Sequence, residues 1–192
     1  MSRRSHGYSL VELLVMVAII GMVLIAVVPA FGNLQRISGL RSASAQLRSL
    51  FHQNRSRAIA RGTNVGMKFL QLGGRWHVAV YLDGDSDGIR NDDIKTGTDP
   101  LLEPPRTVFR ESAAIGIGLL KTPVKDPDGD ALKSPVAFGA STICSFSPIG
   151  ASTPGTIYLT DGRRNLWCVR VYGATAKIRV LRYDAGAKKW VP

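Results

Sequence analysis

The chain has 192 residues, a formal net charge of +11 and a sequence pI of about 10.2. That length suggests one globular domain with an extension. The basic balance points toward acidic partners, nucleic acid or anionic lipid, and carries no information on fold. The charge is uneven: Leu13 to Leu82 holds no Asp or Glu, Asp83 to Thr160 holds eleven acids against seven bases, and Asp161 to Pro192 holds eight bases against two acids.

The first element is apolar. Leu13 to Phe31 is nineteen uncharged residues. As a helix it spans roughly 28 Å at ~1.5 Å per residue, close to a bilayer core of ~30 Å. Arg3, Arg4 and His6 precede it, and positive residues ahead of an apolar run hold that end in the cytoplasm. A cleaved secretory signal, a plain anchor and a buried core helix compete for this segment. The run is long for a signal peptide, with only a weak cleavage site at Pro29-Ala30, and a core helix of this length usually has a polar face. Glu12 separates these readings. An acid at the edge of a membrane span has a cost and marks function, and neither a plain signal nor a plain anchor uses one.

The stretch Gly7-Tyr8-Ser9-Leu10-Val11-Glu12 resembles the signal of type IV prepilins and type II secretion pseudopilins. The resemblance implies cleavage between Gly7 and Tyr8 by a prepilin peptidase and N-methylation of Tyr8, which stands where the family usually has Phe. It implies that Glu12, the fifth mature residue, pairs with the N-terminus of a neighbouring subunit, and that Pro29 is the helix-kinking proline. The physics agrees: a buried carboxylate needs a partner, and a buried polar pair can set the register between helices.

From Asn33 the pattern stays helical but turns polar, with Leu34, Ile37, Leu40, Leu47, Phe51 and Ala58 at near-helical spacing. Arg36, Arg41, Arg48, Arg55, Arg57 and Arg61 lie between them. They read as a solvated basic face, the alternative being a binding stripe. Gly62 ends the helix. Asn54 to Gly62 is similar to the "ARSEAI-RG" segment of the GspH/FimT subfamily, which narrows the resemblance to a minor subunit.

The remainder reads as strands. Val65 to Leu72 and Trp76 to Leu82 form a hairpin around Gly73-Gly74. Further strands are expected over Thr107–Leu120, Val136–Phe146, Thr156–Thr160, Leu166–Tyr172 and Lys177–Tyr183, punctuated by Gly, Pro, Asp and Ser. Phe146 to Leu159 resembles the subfamily's "F-P-G…G-T-I-L" pattern. The residues from about Asp83 to Ser134 carry no part of the resemblance.

Asp83, Asp85 and Asp87, ahead of Gly88, look like the start of a calcium loop; turn chemistry alone also explains the run. Asp126 to Asp130 reads as a turn. His6, His52 and His77 stand in no catalytic motif and there is no P-loop, so no enzyme is expected. Arg163, Arg164, Lys177, Arg179 and Arg182, with Tyr172, Tyr183 and Trp190 among them, have the ingredients of non-specific nucleic-acid binding. In FimT-like proteins a G-R-x-R segment is associated with DNA uptake; Ala176-Lys177-Ile178-Arg179 stands there, and its Lys cannot fork onto a phosphate as Arg does. A charge-guarded edge strand is the competing reading. Cys144 and Cys168, placed outside the membrane by the orientation of the N-terminus, are expected to form a disulfide, the alternative being two separate buried thiols.

The expected protein is therefore α+β with a pilin-like fold. Residues 1–7 are a leader, 8–31 a transmembrane and assembly helix, 32–62 its amphipathic continuation, and 63–192 a periplasmic β-rich domain. Its expected role is that of a minor subunit of a type IV pilus or type II secretion pseudopilus, single-pass in the inner membrane. Its expected partners are other pilin subunits and the prepilin peptidase; DNA is the alternative partner, and no cofactor other than calcium is expected.

Overall fold

The computed structural model describes residues 9–108 and 115–192; the side chains of 26–31 lie outside the described set. Gly7 and Tyr8 lie outside the described residues, and of Pro29 only the backbone is described. The first element, α1 (Leu10–Arg61), is one helix of 52 residues. The chain divides within it into two units, residues 1–38 and 39–192.

In the first unit the helix exposes its apolar side chains from Leu10 to Ile25, with Leu10 and Ile25 nearly four-fifths exposed. Among the described residues no helix is long and apolar enough to cross a membrane. The expected span, Leu13 to Phe31, runs into 26–31, whose side chains are outside that set.

In the second unit the rest of α1 buries one face. Leu40, Ala43, Leu47, Leu50, Phe51, Asn54 and Ala58 recur at three- and four-residue steps, and all are buried, as one stripe of an amphipathic helix requires. The helix ends as expected at Arg61, and Gly62 follows in the left-handed region with φ of 67°.

Two antiparallel sheets complete this unit. One has the order β3-β2-β1-β6: β1 (Val65–Leu72), β2 (Arg75–Leu82), β3 (Leu101–Thr107) and β6 (Ile143–Phe146). The other has the order β10-β9-β8-β7-β4: β4 (Gly116–Ile117), β7 (Gly155–Thr160), β8 (Leu166–Val171), β9 (Ile178–Asp184) and β10 (Lys189–Val191). In that sheet β5 (Val136–Phe138) also pairs with β7. The hairpin of β1 and β2 closes as the sequence predicts. Leu72 faces Arg75, and Gly73 and Gly74 both have positive φ, 55° and 75°, the geometry of a two-residue turn that follows strand twist.

The core is aromatic at its centre. Phe51 of α1 meets Phe69 of β1, Phe138 of β5 and Phe146 of β6 at 6.3, 6.2 and 6.1 Å between ring centroids, and Phe69 stacks on Phe138 at 5.9 Å. Four elements thus meet in one ring cluster, a geometry that adds to area burial.

Strand alternation gives the second sheet two faces. Ile157, Leu159, Val169 and Val171 point into the main core. Tyr158, Leu166 and Cys168 point the other way, into a smaller cluster completed by Val124 and by Leu132, Tyr183 and Trp190.

Several expected elements differ. Val136–Phe146 is two strands in different sheets, because Phe138 and Ser141 bond to each other and turn the chain between them. The strand expected over Thr107–Leu120 is reduced to β4, with 109–114 outside the described residues. β3 ends where that strand was expected to begin. Its Pro104 and Pro105 hid it, and they sit where its register against β2 slips, the place a proline is tolerated in a sheet. The short helix α2 (Asn91–Thr96) and β10 are further additions.

Candidate assembly and binding surfaces

Glu12 lies in the first turn of α1 and is exposed. The Ser9 hydroxyl accepts the Val11 amide at 3.2 Å, and the Ser9 carbonyl accepts the Leu13 amide at 3.2 Å, so Ser9 caps this turn. A carboxylate in a first turn is also favoured by the helix dipole.

Farther along α1 lies a polar network that the sequence does not announce. Asn54, fully buried, donates to the Leu50 carbonyl at 2.9 Å and accepts from Arg57 at 3.3 Å. Arg57 pairs with Glu103 of β3, which also accepts from Arg106 at 3.4 Å. A helix and an edge strand are thereby pinned through half-buried groups. Alternating i, i+3 polar residues on α1 are the only sequence signal, and Glu103 lies too far along the chain to be linked to them.

Asp83, Asp85 and Asp87 come together: each offers an oxygen within 4.8 Å of the others. The carboxylate of Asp83 is already engaged, accepting from the Ser86 amide at 2.8 Å, the Gly88 amide at 3.0 Å and the Asn64 side chain. Burial raises its pKa, but these hydrogen bonds outweigh burial and hold it below 3.8. Asp99 orders the same loop, accepting the Gly84 and Arg90 amides at 3.2 and 3.1 Å. The loop therefore holds its shape with protein donors. Calcium prefers six to eight oxygens, and Ile94, where an EF-type loop ends in an acid, sits inside α2. Beside the loop an open cleft of about 450 Å³ is lined by Asn64, Asp87, Arg90, Ser145 and Thr153, with no histidine or cysteine in its walls.

The basic residues expected to act together are divided by topology. Arg163 and Arg164 occupy the turn between β7 and β8, and Arg182 faces Trp167 near that end. Lys177 and Arg179 lie at the opposite end of β8, where Arg179 faces Arg170. Arg170 is tied to Asp128, whose hydrogen bond raises its pKa further. Arg170 and Arg179 lie 5.5 and 5.9 Å from the centre of the Tyr172 ring, within cation–π range. Alternation also sends Arg179 and Arg182 to opposite faces of β9.

The expected Cys144–Cys168 disulfide is not formed; both thiols are free and buried. Cys144 on β6 points into the main core and Cys168 on β8 into the smaller cluster. The parity of β8 turns Cys168 away from Cys144. Burial pushes the Cys144 thiol well above its usual pKa and that of Cys168 up to about 12.

The sequence model of the type II transport protein GspH family matches residues 43–175, more than half of the chain. The chain belongs to the GspH family. The prokaryotic N-terminal methylation motif matches residues 2–28, which hold Gly7, Tyr8 and Glu12. No curated protein and no solved structure matches the chain. The GspH match starts in α1, runs through the acidic loop and both sheets, and stops after β8. It includes Asp83 to Ser134, where the motif resemblance is silent, and leaves Lys177, Arg179 and Arg182 beyond its end. This GspH-family chain is a pilin-type subunit, of a structural family and not a catalytic one. Membership implies assembly with other pilin subunits and processing by prepilin peptidase.

Proposed function

We propose that this chain is a minor subunit of a type II secretion pseudopilus or type IV pilus. It is cut between Gly7 and Tyr8 and methylated on Tyr8. It is held single-pass in the inner membrane by residues 8–31, with the domain that follows in the periplasm. Glu12 supplies the carboxylate that pairs with a neighbour's N-terminus during assembly. The observation that carries this reading is the succession, along one chain, of a methylation motif at residues 2–28 and a GspH match at 43–175. The arginines ahead of the apolar run supply the orientation.

Intact-mass measurement of the protein extracted after co-expression with a prepilin peptidase tests this. Loss of Met1 to Gly7, with the gain of one methyl group, is expected. The net charge then changes from +11 to +9, by the loss of Arg3 and Arg4. A mass that keeps the leader overturns the reading.

DNA uptake through the basic C-terminal region is the second reading, favoured by the two guanidiniums beside Tyr172. The structural role is preferred because the cations divide between two ends of the sheet and Arg170 is already paired.

A further inference from the structure

One stretch of chain, residues 119–134 between β4 and β5, lies over the outer face of the second sheet. Both ends of this stretch are fastened to the same residue. The Gly118 amide donates to the Tyr158 carbonyl at 3.1 Å, and the Tyr158 amide donates to the Pro135 carbonyl at 2.8 Å. A stretch whose ends meet in this way is an Ω-loop.

Between its ends the loop is thinly held. Among the described residues, two polar contacts tie 119–133 to the sheet. The Trp190 indole Nε1 donates to the Lys125 carbonyl at 2.9 Å, and Asp128 pairs with Arg170. Val124 is buried, whereas Leu119, Leu120 and Leu132 are half-buried. A recess of about 250 Å³ lies between 119–124 and Leu132, so the loop does not fill the space it spans, and the walls of a void lack contacts on one side. None of the residues 119–134 belongs to the main core.

Neither contact leaves an orphan when it is released. Trp190 sits on β10, and its ring keeps Tyr158 and Tyr183 at 5.8 and 5.4 Å without the loop; its exposed N–H turns to water. Arg170 still faces the Tyr172 ring at 5.5 Å. Beneath the loop Tyr158, Leu166 and Cys168 are buried, in a cluster separate from the main core. Few buried apolar contacts and few hydrogen bonds are the marks of a segment that opens locally, below the free energy of global unfolding.

We propose that residues 119–134 form a latched lid. The lid opens as a unit and bares the outer face of β7 and β8 while α1 and the main core stay folded. Trp190, close to the C-terminus, and the Asp128–Arg170 pair are its two latches. The second latch is half in water, with Asp128 more than half exposed, so salt loosens it. The lid stands independently of the subunit reading.

The two free thiols supply the test, because Cys168 lies under the lid and Cys144 lies in the main core. The full chain in detergent micelles is exposed to a maleimide at one pH, and the label on each cysteine is read by peptide mass over hours. Each rate is divided by that of the same thiol in urea. A brief pulse labels neither. Over hours Cys168 is expected to react at least about tenfold faster than Cys144, as a local opening does relative to a global one. Trp190→Phe, which keeps a ring and removes the donor, should speed Cys168 about fivefold, the effect of one hydrogen bond. Asp128→Asn should speed it about threefold and abolish the acceleration by salt. Cys144 should not respond to either substitution. Equal rates for the two thiols, or variants that speed both together, overturn the proposal, since Cys168 is then reached only by unfolding the domain. A fast Cys168 that ignores both substitutions and salt overturns the latches and with them the lid.

Discussion

Gly155 shows how a residue that reads as punctuation in the sequence becomes a packing requirement. A Cβ there would lie 2.2 Å from Phe138 Cδ1 and 2.3 Å from the Ala137 carbonyl oxygen. Its absence lets β5 lie against β7 and seats Phe138 in the aromatic cluster. Gly155→Ala is expected to cost about 3 kcal/mol, at the upper end for overpacking, because one of the atoms it meets is backbone. The shift of the urea midpoint measures this, and a change below about 1 kcal/mol would contradict the packing described. Ala176 is the opposite case: its φ of 46° favours glycine, yet its methyl is fully buried. The two effects are each about 1 kcal/mol and offset.

Asp161 organises the turn between β7 and β8. Its carboxylate accepts the amides of Arg163, Arg164 and Asn165 at 2.9 to 3.0 Å and the Asn165 side chain at 2.7 Å. Burial raises its pKa, and the four hydrogen bonds more than reverse that, holding it below 3.8. Asp83 behaves alike. A carboxyl depressed in the folded state contributes stability that is complete above the unfolded pKa and is lost as pH falls through the folded one. Stability should therefore be flat near neutrality and decline below about pH 4. Asp161→Ala should cost about 1–3 kcal/mol at pH 7 and make the acid decline shallower. An unchanged acid limb would show that the turn does not hold this charge.

At the scale of elements, periodicity made some of the structure legible and concealed the rest. The apolar positions of α1 from Leu40 to Ala58 were readable from their helical period, and β1, β2, β7, β8 and β9 from apolar runs bounded by Gly, Pro, Asp and Ser. β3 was not, since Pro104 and Pro105 argue against a strand, and neither was the sheet change after Phe138, which is made by two backbone bonds to Ser141. The grouping of Asp83, Asp85 and Asp87 was readable from spacing, whereas the Asn54–Arg57–Glu103 network depends on contacts between distant elements. The thiols failed for a third reason. Each cysteine sits on a strand as expected, but which way a strand faces between two clusters is decided by partners elsewhere in the chain. Labelling of the unfolded, unreduced protein should thus give two thiols per chain, and labelling of the folded protein none. Zero labels after unfolding would restore the bridge.

For the whole molecule, the uneven charge noted in the sequence becomes a separation of surfaces. The C-terminal cations do not converge, so duplex DNA should bind no more tightly than non-specific contacts allow, about 10⁻⁴–10⁻⁶ M, with a salt slope reporting few phosphates. A nanomolar complex at physiological salt, lost in Lys177→Ala with Arg179→Ala, would favour the DNA reading. Glu12→Ala should still insert, because removing an acid eases insertion, but should enter filaments poorly. Recovery of that variant in sheared filaments at the level of the unaltered chain would remove Glu12 from assembly.

The proline pair of β3 bears on how such a chain survives crowding. Consecutive prolines at an outer strand leave two successive positions without an amide donor, and a sheet bounded this way offers a poor template for a stranger's strand. When many copies wait side by side, that boundary guards against the cross-β stacking that would turn a reserve of subunits into an insoluble deposit.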